Sequence, residues 1–541
     1  LSLPQDWSHR HVVFSQTQNM PLLLKIRQDP RVLHQWLRQN VPPAANGHID
    51  AVPQFLDSHG VGELKHAADG AVDWSVTLGG TNSLLPRNQY PAKFSFDINA
   101  PPDCVNDFVV FPTNHGGSVT QATIVAYNQL YSTQGVAGGL CNQNGPSVKW
   151  AYNTGGVIRS SPVLSLDGTK VAWVDFSTGR LHVLTPGTTG SNGTAVTAPV
   201  TAGVGNNAVD HSFRLNGSPR ISQSSLFVDY SNDVGYVGDD RGVLHKISGF
   251  FNGTAAEVTT GGWPLPVSAG AAVLDGPTFD SVSGNIFITD GAGNLSYVRE
   301  ANSTVGICAA GAPPCLGFPV VAVSPGTPIM DAPVVDFVTG RVFTETAANG
   351  ARAQIVQTDT ALGNVVTVNV GQADSVHPLH SGAFDNNYLN NVASGFYYVC
   401  GKSPGSTDPR LYRIGFNASG VMNSARDAAS LRLARAAAEC SPATEIFNQR
   451  DWLFVAVSTR CGNIPVLPNG CVMSYDITNG MPTVLTAAVL ERNGTSGIII
   501  DNVSAAAQAS SIYFTNEGTG GCGDGIATGG CAVKLTQSGL Q

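Results

Sequence analysis

Charge is scarce in this chain: Asp, Glu, Lys and Arg together make up 12% of its 541 residues, about half the share usual in soluble proteins. The net charge is −9, and no run of Lys or Arg exists that could neutralise a phosphate backbone, which excludes nucleic acid as a partner. Long apolar runs are lacking too. The most apolar stretches, such as Gly497-Ile498-Ile499-Ile500, are strand-sized, so no membrane span is expected. No Cys-x-x-Cys occurs, which removes the basic requirement of zinc ribbons, thioredoxin-like sites and covalent haem attachment. A nucleophile elbow, a P-loop, a dinucleotide fingerprint and a zinc-protease helix are absent as well, and no cofactor is expected.

What is abundant is glycine, at 61 residues, together with Ser, Thr and Asn, in a chain that is 42% hydrophobic. That mixture suits a β protein with many turns and a sizeable core. The ten cysteines are even in number and fall into local couples. Pairing neighbours gives Cys104 with Cys141, Cys308 with Cys315, Cys400 with Cys440, Cys461 with Cys471, and Cys522 with Cys531. Such a disulfide framework belongs to an oxidising space, and the chain begins at Leu1 rather than Met, as it would after removal of a signal peptide; a secreted or cell-surface protein is expected.

From residue 89 onward one phrase recurs: a small-residue strand, an Asp or Asn turn, an apolar strand, a Gly turn, another strand. The clearest copy runs Ser161-Pro162-Val163-Leu164, Asp167-Gly168, Val171-Ala172-Trp173-Val174, Gly179 and Leu181-His182-Val183-Leu184. Alternation at period two marks half-buried strands. Further copies begin near Leu226, Gly276, Ala332, Gly395, Trp452 and Ile498, with an opening copy around Phe94, Val109 and Ile124. The repeat predicts an all-β fold, a closed β-propeller of about eight four-stranded blades, with seven as the alternative.

The phrase Trp-x4-Gly-Gly occurs at Trp74 and again at Trp150, where it reads as the outer strand of the first blade. By analogy residues 72–78 form an outer strand for the last blade, and pairing the two would leave neither edge exposed. The ring is therefore expected over 72–541, preceded by a partly helical arm over 1–71. In the arm, Leu22, Leu23, Leu24, Ile26, Val32, Leu33, Trp36 and Leu37 have helix-like spacing interrupted by Pro30, so two short helices are expected, the second capped by Asp29. A segment this small has no core of its own and must be held by something else. Trp7, His9, His11, Phe14, Leu33, Trp36 and Leu37 are its candidate docking residues.

Candidate ligand sites are few. Read as an extended strand, Asp6-Trp7-Ser8-His9-Arg10-His11 puts His9 and His11 on one face, where they could share a metal. His377-Pro378-Leu379-His380 has a similar spacing. Asp290, in Asp290-Gly291-Ala292-Gly293-Asn294, stands in the kind of turn where calcium binds, although turn geometry alone explains these residues. Lone acids such as Asp97, Glu345 and Glu445 could face a central channel.

Asp6 to Ser15, Gln89-Tyr90-Pro91-Ala92-Lys93-Phe94-Ser95-Phe96 and the stretch Phe251 to Pro264 resemble phrases of secreted bacterial β-propeller-like proteins. The resemblance implies export and a repeated β fold, and carries over no catalytic residue. The blades also resemble those of quinoprotein dehydrogenases, but the adjacent-cysteine disulfide and the regular tryptophan-docking phrase of that family are missing here. The leading functional expectation is a non-catalytic structural or interaction protein that associates with itself, its arm docking on a neighbouring copy and linking subunits into a fibre. The alternatives are a secreted enzyme acting at the channel mouth and a carbohydrate-binding surface protein.

Overall fold

The computed structural model describes residues 2–39 and 72–536, apart from 81–82, 99, 136, 189, 218–219, 269, 271, 462–468, 484, 502–507 and 526–528. The repeated phrase folds into eight antiparallel sheets that succeed one another along the chain, the eight blades of a closed propeller. The inner strands of the first seven are Ala92–Ser95, Val163–Leu164, Phe227–Asp229, Thr278–Asp280, Val334–Asp336, Ala383–Phe384 and Thr444–Asn448. The eighth blade has Ile499–Asp501 innermost, then Ser511–Thr515 and Cys531–Thr536, and its outer strand is Val72–Thr77 from the other end of the ring. Thr77 lies opposite Cys531 and Val72 opposite Leu535, so the closing pair runs the length of both strands.

The turns show why Asp recurs at the ends of strands. Asp239 Oδ1 accepts from the backbone N–H of Arg241 and Val243, Asp290 Oδ1 from Ala292 and Asn294, and Asp359 Oδ1 from Ala361 and Gly363. One carboxylate oxygen thus satisfies two backbone donors that the reversal removes from the ladder. The glycines that follow, Gly242 at φ 76° and Gly293 at φ 87°, adopt the left-handed conformation the turn demands. Blades pack face to face through large side chains, with Trp150, Trp173, Phe94 and Phe108 buried together between the first and second. Five disulfides join Cys104 to Cys141, Cys308 to Cys315, Cys400 to Cys440, Cys461 to Cys471 and Cys522 to Cys531.

The arm folds into the middle of its own ring and turns back on itself. Leu3–Gln5 pairs antiparallel with the inner strand of the first blade, Leu3 opposite Ser95. Ser8–His11 forms a single helical turn, α1. Val12–Val13 then pairs in parallel with the inner strand of the fifth blade, Val12 opposite Val335. In a ring of eight, these blades face each other across the channel, so residues 3–13 span its diameter. Two helices follow, α2 at Met20–Ile26 and α3 at Arg31–Gln39. Asn19 caps α2 by accepting from Leu22 N–H, and Asp29 Oδ1 accepts from Arg31 N–H where α3 begins.

Candidate functional site: the threaded channel

The arm is held by backbone groups of the ring as much as by apolar contact. Trp7 is buried, and its indole N–H donates to the carbonyl of Leu226 at 3.0 Å. Arg10 donates to the carbonyl of Ala443 and to Thr444 of the seventh blade, and its guanidinium lies 5.5 Å from the centre of the Tyr90 ring. Gln16 N–H donates to Leu389 O at 2.9 Å. Phe14 packs edge-on against Phe337 at 5.2 Å, and Gln35 brackets its backbone, accepting from Phe14 N–H and donating to Phe14 O.

The helix α3 corrects one expectation. Leu33 and Leu37 are only partly buried and Trp36 is 53% exposed, whereas Arg31, His34 and Gln35 face inward. The mouth that α3 covers is lined by backbone carbonyls and side-chain oxygens, which polar donors satisfy and leucines cannot. Arg31 donates to Val228 O at 2.7 Å and to Ser8 Oγ at 3.1 Å, pairs with Asp29, and lies 4.4 Å from the centre of the Phe227 ring. Its i, i+3, i+4 spacing with His34 and Gln35 is a polar stripe, and that was the signal available in the sequence.

The histidines do not converge. Residues 8–11 turn as a helix rather than running extended, so His9 and His11 lose the shared face expected of a strand. His9 faces Asp6 at 3.2 Å and the His34 ring at 5.2 Å; His11 lies 4.8 Å from Trp7. Burial works to raise the Asp6 carboxyl, but His9, Ser8 and Arg31 together hold it below its ordinary value. Burial pushes His11 down to about 4 despite nearby Asp331. Asp290 is the turn acid described above, with Ser268 Oγ and the Asn294 amide on its remaining oxygen. His377 pairs with Asp374, and His380 bridges Asp331 and Glu439 at 2.9 and 2.8 Å. Among the described residues no group of three or more His, Cys, Asp or Glu is arranged to hold a metal. Glu345 accepts from the Tyr397 hydroxyl, and burial pushes its carboxyl up to about 7.

The mouth where the inner strands begin is sealed by residues 87–90, which sequence reading passed over. Asn88 reaches across the ring to donate to Met330 O at 2.5 Å, and Gln89 Oε1 accepts from both Ser161 and Ser225. Arg87 pairs with Glu439 at 3.1 Å, extending the chain Asp331–His380–Glu439. Tyr90 is buried where Gly497 leaves room; a Cβ there would come within 2.3 Å of its ring.

These features define an eight-bladed β-propeller with an intramolecular plug. Among solved structures it is similar to Sqt1 from Chaetomium thermophilum, at 10% identity and a TM-score of 0.51, over 86% of this chain and 99% of that one. It is also similar to BamB from Moraxella catarrhalis, at 13% identity and a TM-score of 0.40, over 86% of this chain and 98% of that one. At such identities the likeness to Sqt1 establishes the fold alone. No protein-family model and no curated protein sequence matches the chain.

Proposed function

We propose that this chain is a non-catalytic, extracellular interaction protein whose propeller is sealed by its own arm and meets its partners through its outer faces. The occupied channel carries this reading. Propeller chemistry is usually sited at the channel mouth, and here α3 covers one mouth and residues 87–90 the other. The five disulfides support an oxidising compartment.

Self-assembly through the arm, the route to a fibre, requires the arm to leave one ring and enter another, pairing there with the same two inner strands. Of the arm's apolar docking candidates, Trp7 and Phe14 are buried inside the ring, whereas Trp36 stays 53% exposed on its surface. A Leu3→Cys/Ser95→Cys pair tests the arrangement, because the two positions are register partners. Oxidation should give a cross-link within one chain; a ladder of covalent oligomers on a non-reducing gel would overturn the plug and restore the fibre. Thiol titration of protein from its native source tests the compartment: no free thiol and recovery outside the cell are expected, and ten reactive thiols in the cytosolic fraction would sink that part.

A further inference from the structure

Between the first and second blades the surface opens into a cleft of about 810 Å³, within the roughly 300–1,000 Å³ of small-molecule sites. Phe108, Trp150 and Leu164 form a buried apolar floor. Asn106, Asn128 and Thr188 stand in the walls. The chain has 38 acidic and 29 basic residues, yet among the described residues this cleft is lined by Lys149 and Lys170 and by no Asp or Glu.

Both ammonium groups are held by backbone carbonyls, that of Lys149 by one in the first blade and that of Lys170 by one in the third. Lys149 Nζ donates to Val105 O at 3.0 Å, and Lys170 Nζ donates to Phe251 O. Each has further donors to offer. Asp103 and Asp107 act on Lys149 through space and offset part of its charge, but their oxygens bond elsewhere and leave its N–H groups open to a ligand. Asp103 accepts from Val105 N–H and from the backbone and side chain of Asn106; Asp107 accepts from Phe96 N–H, Asp103 N–H and the Tyr131 hydroxyl.

We propose that the cleft binds an acidic oligosaccharide, its carboxylates against Lys149 and Lys170 and its hydroxyls against the amides and hydroxyls of the walls. Wall groups that both donate and accept match sugar hydroxyls, which do the same. Peptides are recognised along a strand edge, in an apolar groove or, when acidic, by clustered arginines, and among the described residues no Arg lines this cleft. Glycosidic hydrolysis uses a pair of carboxyl groups, and none lines the cleft among the described residues, which favours binding over hydrolysis. In that respect the proposal rests on the non-catalytic reading above.

Calorimetric titration of the full chain at low salt with tetragalacturonate, the uncharged galactan tetramer and tetraglutamate tests it. Tetragalacturonate should bind, more weakly as salt is added, while the other two do not. Lys149→Gln and Lys170→Gln should each weaken binding roughly tenfold or more. Because Lys170 also holds Phe251, Thr188→Glu provides a second variant: it places a carboxylate on an exposed part of the wall and should abolish binding while the melting temperature stays unchanged. Absence of binding to tetragalacturonate, equal binding of tetraglutamate, or unaltered affinity in all three variants would overturn the site. New reducing ends, with the lysine dependence intact, would support the site and overturn the non-catalytic reading.

Discussion

The indole of Trp7 fills the space that a side chain at position 276 would need: a Cβ on Gly276 would fall 2.7 Å from its ring. A residue of the arm and a residue of the fourth blade are thus complementary across 269 positions of sequence. Gly276→Ala should destabilise the protein by roughly 1–3 kcal/mol through overpacking, and Trp7→Ala by roughly 3–5 kcal/mol through the cavity it leaves. In the Trp7→Ala background, Gly276→Ala should cost far less, because its clash has gone. Chemical denaturation of the four proteins checks this; strict additivity would mean that the two residues do not meet.

Ring closure includes a buried ion pair between Asp73 of the outer strand and Lys534 of its partner, with Thr536 donating to the same carboxylate. Burial raises the Asp73 pKa and lowers that of Lys534, and the strongest influence favouring the charged form of each is the other. Lys534→Met strands a buried carboxylate and should cost roughly 3–5 kcal/mol, whereas Asp73→Leu/Lys534→Met should recover most of it. Equilibrium unfolding of the single and double variants is the measurement.

Stability should depend on pH in a stated direction. Burial pushes the carboxyls of Glu345, Glu491 and Glu517 up to about 7, 8 and 8. A carboxyl with a raised folded pKa stabilises fully below its ordinary value and loses that contribution as pH rises through the folded value. Burial would lower His380, but Asp331 and Glu439 raise it to about 10, and its contribution likewise disappears as pH rises through that value. His11, pushed down to about 4, works the other way: its contribution is present above its ordinary pKa and is lost as pH falls through 4. Between pH 4.5 and 6.5 the three raised carboxyls outweigh the single lowered histidine, so the melting temperature should fall from about pH 5 towards pH 10, with Glu491→Gln flattening the slope. A melting temperature that rises from pH 6 to 9 would contradict these assignments.

The disulfides should contribute unequally. Cys104–Cys141 spans 37 residues and Cys308–Cys315 spans 7. The chain entropy removed from the unfolded state is worth about 4 kcal/mol for the longer loop and about 2 kcal/mol for the shorter. Cys104→Ser/Cys141→Ser should thus lower the denaturation midpoint more than Cys308→Ser/Cys315→Ser, as guanidinium titration would show.

The blades were legible because their signals are local. The short apolar run Val171–Val174, buried at every position, and the Asp-then-Gly reversal at Asp290 and Gly293 depend on neighbours a few residues apart, which a sequence displays directly. The amphipathic pattern of residues 31–39 was equally visible, but which stripe faces the protein was not. Burial of Arg31 depends on the carbonyl of Val228, and a carbonyl has no sequence signature.

By itself, then, the sequence determined the repeated β fold, a ring of seven or eight blades, the local cysteine couples and the lack of any long apolar span. Only the tertiary structure decided that the arm folds into its own ring. The room for Trp7 and Tyr90 is made by Gly276 and Gly497, which enter the channel from different blades, and the bonds that hold the arm end on backbone atoms of Leu226, Val228 and Ala443. Complementarity of that kind exists only after distant strands have been brought side by side.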